Sequence, residues 1–564
     1  MKKILFSLIS ICLTCHIQAQ LVINNHTVHY DRHTNCWLAT IPETMFGKDC
    51  QLSISIQDGW RNLIINNELV GNQYTFKQIT AESTYQTSIT DADGNTITGI
   101  IQFTFLPIIH LDGQFGYEYQ HGSVTISNPN EKDDYQALMA RIKWRGNTTN
   151  TDDKHKRNYN IKFDTDIKLF GMRKDNNWML DAGQPDVFRM RNRIAMDLWN
   201  DMNSKPYYAD KEPKARNGVR GCMVEVFLNN EYRGIYNFSE KMDRKQLKLK
   251  KVDDWGNIHG ILYKAKTWLN TTMFDSIYNY NNYDYALLGY EVKYPKPYDD
   301  CDSTDWKPLV DVNNSILFLC LNDEAFEKQI EEWFDMPVMI DYGVFLSSVN
   351  ALDNGGKNVY WGIYDKAVSK RMTLAPWDLD CTFGQRWGGA LVDTEEGDLT
   401  SPYYLSDVAL AAFFHLYRTN ALYFNDRLNE RYQELRQNGN VLSTDSLIQR
   451  VTKYYNAIKN SGAAQRETNK WSGDSDIYGE EIDFDEEYKY ICNWINIHMG
   501  LIDKKGFPVL YDKEFIDSLY AGIPNKPIID KTDNHIYTLS GQRVNSSKQL
   551  KHGIYIVNKK KVIF

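Results

Sequence analysis

Hydrophobic and polar residues alternate along much of the chain from residue 21 to about 130. Runs such as Gln51–Ile56 and Ile101–Phe105 place an apolar side chain at every second position, which is the period of a half-buried β-strand. Turn signals such as Asn66-Asn67 separate these runs. The pattern predicts a β-sandwich-like domain over residues 20–130.

The spacing of apolar residues changes further along the chain. Strand-like runs alternate with a helical stretch near Ile194–Met202, and from about residue 314 to 505 the pattern is mostly helical, with one inserted hairpin. We therefore expect an α+β protein. Its predicted parts are a signal peptide (1–19), the sandwich-like domain (20–130), a larger domain of strands and helices (131–510), a linker (511–533) and a short C-terminal β tail (534–564).

The first residues have the pattern of an export signal. Met1-Lys2-Lys3 is followed by an apolar run from Ile4 to Thr14 and by a small residue at Ala19. No later stretch is long and apolar enough to predict a transmembrane helix. The expected location is secreted or in the cell envelope (periplasm or outer surface), and the β tail is a candidate for surface association.

Charge and cysteine content narrow the classes of function. The formal net charge is −9, and no basic run is longer than Lys559–Lys561, which argues against nucleic acid as a partner. The cysteines after the signal peptide contain no CxxC pair, so a zinc module is not expected. Whether Cys36 and Cys50 pair stays open.

One segment combines carboxylates in a pattern that predicts metal chemistry. A helix beginning after Asp335 leads into a loop with Asp353, and two strand-like runs follow. If their hairpin closes near residue 368, Asn358 and Asp378 lie directly opposite each other, with Cβ atoms about 4.5–5.5 Å apart. Two oxygen ligands would then hold Mg²⁺ (or Mn²⁺), and Asp353 would accept a proton.

The order of these residues is similar to that in protein kinases. In kinases the catalytic Asp precedes a metal-binding Asn by five positions, and a second metal-binding Asp follows later. Asp353 and Asn358 have that spacing, and Asp378 follows the hairpin. An ordinary turn at 353–356, with Asp378 capping a loop, is the alternative that the pattern leaves open.

Several blocks of the chain resemble the CotH (spore coat protein H-like) kinase family, over about residues 130–505. The blocks are Arg145–Thr149, Lys156–Phe163, Asp186 to Asn192, Val224–Tyr236 through Lys241, Asn358–Trp361 and Ala375–Gly384. The resemblance implies an atypical protein-kinase-like, two-lobed catalytic domain that uses ATP with a divalent metal. It also implies transfer of phosphate to hydroxyl side chains of proteins, usually outside the cytosol.

The resemblance assigns roles to particular residues. Asp353 corresponds to the catalytic Asp, Asn358 and Asp378 to metal ligands, and Asp380 to an additional ligand or to a residue that supports the ligands. Lys156 best matches the phosphate-facing lysine, with Lys162 as its competitor.

Two further residues are candidates for binding the nucleotide, and two features of the sequence differ from those of conventional kinases. Arg191 is expected to contact phosphate or to pair with Asp186. Glu240, which lies where a hinge between lobes would run, is a further candidate for nucleotide binding. No glycine-rich loop precedes the candidate lysine, and Asp197 stands where a glutamate would be expected.

Two hypotheses of function follow. The first is an exported kinase that transfers phosphate from Mg-ATP to Ser or Thr hydroxyls of proteins. The second is a non-catalytic binding or adhesion protein of the cell envelope, built on a degenerate kinase fold. The substrate, and the choice between phosphate and AMP transfer, are not determined by the sequence.

Overall fold

A computed structural model describes residues 21–508, except 58, 92, 147, 275–286, 298, 302–303 and 393–410, together with four short strands after residue 535. The predicted signal peptide and linker lie outside the described residues. The chain divides into two compact units, at Lys504 and Lys505. Within the described residues, no helix is long and apolar enough to cross a membrane.

Two β-sheets form the first part of the larger unit and enclose one hydrophobic core, which includes Trp37, Leu52 and Phe103. One sheet has the strand order β2-β1-β5-β8 and the other β3-β4-β10-β9-β6-β7. The strands are β1 (Leu21–Ile23), β2 (His26–Thr27), β3 (His29–Asp31), β4 (Cys36–Thr40), β5 (Cys50–Ile56), β6 (Arg61–Ile65), β7 (Glu68–Leu69), β8 (Gln73–Phe76), β9 (Tyr85–Thr90) and β10 (Thr96–Thr104).

A closed seven-stranded barrel follows, with the order β11-β12-β13-β14-β15-β17-β16. Alternate side chains such as Ile161, Leu180 and Phe238 fill its interior. The predicted domain boundary at residue 130 falls between two barrel strands, and the domain division stays a prediction. The strands are β11 (Ile108–Asp112), β12 (Gln120–Ser127), β13 (Tyr135–Arg145), β14 (Asn158–Lys168), β15 (Lys174–Asp181), β16 (Gly221–Leu228) and β17 (Glu231–Glu240).

A buried polar network joins β3 to the barrel. The Nδ1 atoms of His29 and His110 lie 3.1 Å apart, and Nε2 of His29 is 3.0 Å from Oγ of Ser127. Burial, together with the neighbouring His110, lowers the pKa of His29 to about 3, and burial also lowers the pKa of His110. Both rings are therefore neutral near pH 7.

The described residues in the rest of the larger unit form an antiparallel sheet, in the order β19-β18-β20-β21, and several helices. Helix α1 confirms the helical stretch expected near residue 194, and α5 the helix expected after Asp335. The strands are β18 (Ile261–Ala265), β19 (Tyr290–Tyr294), β20 (Val359–Ile363) and β21 (Met372–Pro376). The helices are α1 (Arg191–Met202), α2 (Arg244–Leu247), α3 (Lys307–Leu319), α4 (Asp323–Trp333), α5 (Met336–Val349), α6 (Ala411–Thr419), α7 (Phe424–Arg436), α8 (Thr444–Asn460), α9 (Ala463–Trp471) and α10 (Phe484–Lys505).

The smaller unit contains a four-stranded sheet in the order β23-β22-β24-β25. Its strands are β22 (Ile536–Thr538), β23 (Arg543–Val544), β24 (Ile554–Val557) and β25 (Lys560–Ile563). The whole chain is thus a mixed α+β protein. Cys36 and Cys50 are free thiols, so the two do not pair with each other in this structure.

Candidate active site

The hairpin of β20 and β21 positions the predicted metal ligands. Asn358 lies directly before β20 and Asp378 lies two residues after β21, and both have left-handed backbone conformations, with φ of 56° and 58°. Asn and Asp tolerate this conformation better than other residues with a Cβ, because their short polar side chains can bond locally. The local sequence therefore suits a chain that turns sharply at both ends of the hairpin.

The hairpin register differs by one residue from the register predicted from the sequence. Val359 pairs with Pro376, so Asn358 lies opposite Trp377, whose backbone N donates to the Asn358 carbonyl O over 2.8 Å. The prediction that Asn358 and Asp378 are directly opposite is wrong. The backbone turns of the Asp365–Ser369 connection set this register, and a spacing count cannot resolve them.

Asp353 is held beside Asn358, as the sequence predicted. Its Oδ2 accepts a hydrogen bond from Nδ2 of Asn358 over 3.0 Å and lies 2.8 Å from Nζ of Lys357. Its Oδ1 accepts from Nε1 of Trp387 over 2.7 Å, and a second indole, that of Trp268, lies 3.4 Å away. The buried carboxylate is therefore fixed by donors on both oxygens, and Asn358 keeps its side-chain carbonyl for another partner.

A concentration of negative charge surrounds the end of the hairpin. Burial raises the pKa of Asp380 well above its usual range, and the charges of Asp378, Asp181 and Asp353 raise it further. The exposed Asp378 carboxylate has no hydrogen-bond or ion-pair partner among the residues that the structure describes. A divalent cation would relieve this repulsion, since hard cations prefer carboxylate and amide oxygens.

Asp378 also lines a small cavity together with Asp181, Asn192 and Arg145. Its volume of about 20 Å³ suits one ion or water molecule. Nδ2 of Asn192 donates to Asp181 over 2.7 Å, while its Oδ1 accepts from the backbone N of Leu379 over 3.1 Å. Carboxylate and amide oxygens of this kind suit a divalent metal. Asp378 lines the cavity but Asn358 and Asp380 do not, so the assignment of Asn358, Asp378 and Asp380 as metal ligands stays a prediction.

Sequence reasoning missed a set of cations on the same side of the molecule. Lys264 lies in β18 opposite Tyr360 of β20, and burial lowers its pKa to about 8, against the opposing charge of Asp378. Burial also lowers the pKa of Lys241 to about 8, with the charges of Lys293 and Lys296 as further causes.

Neither Lys264 nor Lys241 forms an ion pair within the described part of the chain. Unpaired, partly buried cations next to carboxylates are suited to binding phosphate groups. A single lysine inside the apolar run Ile261–Ala265 was the signal that could have identified Lys264.

Lys156, the predicted phosphate-facing lysine, is fully buried and already paired. Its Nζ donates to Oε1 of Glu467 over 2.6 Å and to the carbonyl O of Ile235 over 2.8 Å. Nε of Arg189 donates to the same Glu467 oxygen over 2.7 Å. Burial lowers the pKa of Lys156 to about 7 although Glu467 opposes this change. The structure therefore gives Lys156 a structural partner, and its phosphate-binding role stays a prediction.

Lys162 and Arg191 are two other residues that the sequence predicts to bind the nucleotide. Lys162 is half-buried on β14 in register with Arg141 and Asn177. Arg191 is buried and donates to Asp186 over 2.6 Å and to Glu487 over 2.8 Å. Its pairing with Asp186 is the alternative that the sequence suggested.

Glu240 is buried at the end of β17 and accepts hydrogen bonds from Arg216 and Arg220. Burial by itself raises the pKa of Glu240. The two arginines and hydrogen bonds from two backbone N–H groups lower it by more, so the pKa of Glu240 is below its usual value. The role of Glu240 in nucleotide binding stays a prediction.

A second group of possible metal ligands consists of His155, Asp474 and Asp476. Nδ1 of His155 lies 2.9 Å from Asp474, and one oxygen of Asp476 accepts from two backbone N–H groups. Lys154 Nζ lies 4.0 Å from the other Asp476 oxygen, which disfavours a cation there. We assign no metal to this group.

The fold and the site define a mixed α+β protein with a carboxylate and amide site at a hairpin end. The family model described as CotH kinase protein matches residues 142–499, which is more than half of the chain. The chain therefore belongs to the CotH kinase family, as the sequence motifs indicated. Among curated proteins, none matches this chain.

Proposed function

We propose that this protein is an atypical, two-lobed kinase that transfers the γ-phosphate of Mg-ATP to Ser or Thr hydroxyls of proteins. In this proposal the barrel of β11–β17 is one lobe, and the sheet of β18–β21 with its helices is the other. The observation that carries the proposal is the Asp353–Asn358 hydrogen bond next to the unpaired Asp378 carboxylate. Kinases need this combination of a proton acceptor and metal ligands.

Each side chain has a task that follows from its position. Asp353 accepts the proton of the attacking hydroxyl while the new oxygen–phosphorus bond forms and the bond to the β-phosphate breaks. Asn358, Asp378 and Asp380 would hold the metal, which neutralises phosphate charge when bound. Lys264 and Lys241 supply positive charge beside the phosphates.

The non-catalytic alternative has less support from the structure. A binding module has no need to hold several carboxylates close together, because their repulsion destabilises the folded state. Burial is the main cause of the raised pKa of Asp380, and repulsion from Asp378, Asp181 and Asp353 raises it further. A purely structural role for the site would predict no gain in stability on addition of Mg-ATP.

Thermal unfolding with and without Mg-ATP tests the proposal. At a concentration of one hundred times Kd, binding should stabilise the wild type by about 2.7 kcal/mol. Asp378→Asn should remove this gain and abolish transfer of labelled phosphate. Asp353→Asn should keep the gain and lose transfer. Asp254→Asn, at an exposed carboxylate in a distant loop, is the control that should change neither.

Two results would contradict the proposal. One is the absence of any stabilisation by Mg-ATP or Mn-ATP in the wild type. The other is transfer that continues at an undiminished rate in Asp353→Asn. Label retained from the γ-phosphate, and not from the α-phosphate, would separate phosphate transfer from AMP transfer.

We also propose that the protein is exported to the cell envelope or secreted, and that the β22–β25 sheet contributes to surface association. The positive start at Lys2 and Lys3 and the apolar run after it support export. Mass spectrometry of the mature N-terminus tests this, with Gln20 as the expected first residue. A mature chain that keeps Met1 in the cytosol would contradict it.

A further inference from the structure

A large basic cleft opens beside α1 and α2, at the end of the barrel formed by the β14–β15 turn. Its volume is about 820 Å³. Seven Lys and Arg side chains and two carboxylates, those of Asp197 and Asp201, line it. Two of the seven cations, Arg173 and Lys245, already form ion pairs with Asp175, which leaves five at the cleft. The whole chain carries a net charge of −9, so its composition alone would not predict a cluster of positive charge.

The floor of the basic cleft has more positive than negative charge. Glu240 is buried, and its single carboxylate is shared by Nη2 of Arg216 at 3.1 Å and Nη2 of Arg220 at 3.2 Å. Both guanidinium side chains remain partly exposed, and among the described residues only Nη2 of each donates a hydrogen bond, to Glu240. Two forked cations with spare donors can each bind further carboxylate or phosphate oxygens.

The rim of the basic cleft adds flexible cations. Lys205, Lys214 and Lys248 are exposed, and the described residues offer no ion-pair partner to any of them. Three long lysine side chains around the two arginines of the floor suit a ligand that carries several anionic groups in a row. A single small anion would leave most of these charges unused.

The basic cleft is separate from the candidate active site. Along β17, Phe238 and Glu240 face the barrel interior and its end, whereas Asn237 and Ser239 lie on the other face with Asp378. The cations of the cleft are therefore not the ones placed beside the nucleotide phosphates.

We propose that the basic cleft docks an acidic segment of the polypeptide that receives the phosphate. This inference rests on the proposed function, because it takes the acceptor to be a protein. A short acidic segment would contact only the cleft, while a long polyanion such as nucleic acid would also meet the negative surface of the chain.

Binding of a labelled, glutamate-rich peptide that contains one serine tests the proposal in the absence of nucleotide. The variant Lys205→Gln/Lys214→Gln/Lys248→Gln should bind it at least tenfold more weakly than the wild type. The matched control carries the same charge change at three exposed lysines elsewhere, Lys132→Gln/Lys453→Gln/Lys504→Gln, and should bind normally. A peptide with glutamine in place of glutamate should not bind.

Equal loss of binding in both triple variants would overturn the proposal, since the effect would then be one of net charge. Single-stranded DNA of equal charge that binds as tightly as the peptide, and loses affinity in the same variant, would also overturn it. In transfer assays the cleft variant should raise KM for an acidic acceptor protein at least tenfold with unchanged kcat. Peptide binding in a wild type that Mg-ATP and Mn-ATP do not stabilise would refute the proposed function and leave the docking site supported.

Discussion

The two candidate lysines make opposite predictions when each is replaced by methionine. Lys156 is buried among charged partners, whereas Lys264 is half-buried and unpaired within the described residues. Methionine keeps most of the length of lysine but removes its charge. The comparison therefore tests whether each lysine contributes to the stability of the fold or to the binding of Mg-ATP.

Lys156→Met should lower the free energy of unfolding. Removing one partner of a buried ion pair costs about 3–5 kcal/mol, because the remaining charge is left without compensation. Arg189 still donates to Glu467 at 2.7 Å, so we expect the lower end, about 3 kcal/mol. The Ile235 carbonyl also loses its bond to the ammonium group. Binding of Mg-ATP to the folded variant should be unchanged.

Lys264→Met should have the reverse effect. Lys264 forms no ion pair among the described residues, and Asp378, the carboxylate whose charge acts on it, is exposed to water, so the unfolding midpoint should stay near that of the wild type. A charge-assisted bond to phosphate contributes about 1.5–3 kcal/mol, so the affinity for Mg-ATP should fall about 10- to 150-fold.

Chemical denaturation followed by tryptophan fluorescence measures the first quantity, and titration calorimetry with Mg-ATP at 25 °C measures the second. Glu467→Gln is a useful control, because it removes the partner of both Lys156 and Arg189 and should destabilise at least as much as Lys156→Met. Wild-type stability in Lys156→Met combined with lost Mg-ATP binding would refute our reasoning and restore Lys156 as the phosphate ligand.

Two more predictions concern pH and the acceptor. His29 and His110 are neutral in the folded state and protonated in the unfolded state at low pH, so stability should fall as pH falls below about 6.5, at up to 1.4 kcal/mol per unit for each ring. Denaturation at pH 7 and pH 5 measures this, and a His29→Gln variant that keeps the full slope would contradict it. Trp387→Phe removes the shorter of the two indole contacts to Oδ1 of Asp353 and leaves only that of Trp268 at 3.4 Å, so the substrate hydroxyl meets less competition for this oxygen and KM for the acceptor should fall about fivefold. Steady-state kinetics test this, and a change in affinity for ATP alone would argue against it.

The sequence by itself determined the parts of the site that lie close together along the chain. Asp353 and Asn358 are five residues apart on one loop, and Asp378 follows through a single hairpin, so local spacing brought the catalytic candidate and the metal candidates into one region. The hairpin register predicted from this spacing was nevertheless wrong by one residue, because backbone hydrogen bonds within the turn fix the register of a hairpin.

Tertiary structure alone decided the roles of residues whose partners are far away in sequence. Lys156 pairs with Glu467, which lies 311 residues later in the sequence. Lys264 comes beside Asp378 because β18 pairs with β20. The barrel end likewise brings Arg216 and Arg220 onto Glu240. Periodicity reports which face of an element is buried, but it does not report which other element covers that face. That choice depends on long-range packing and on the pairing of buried charges.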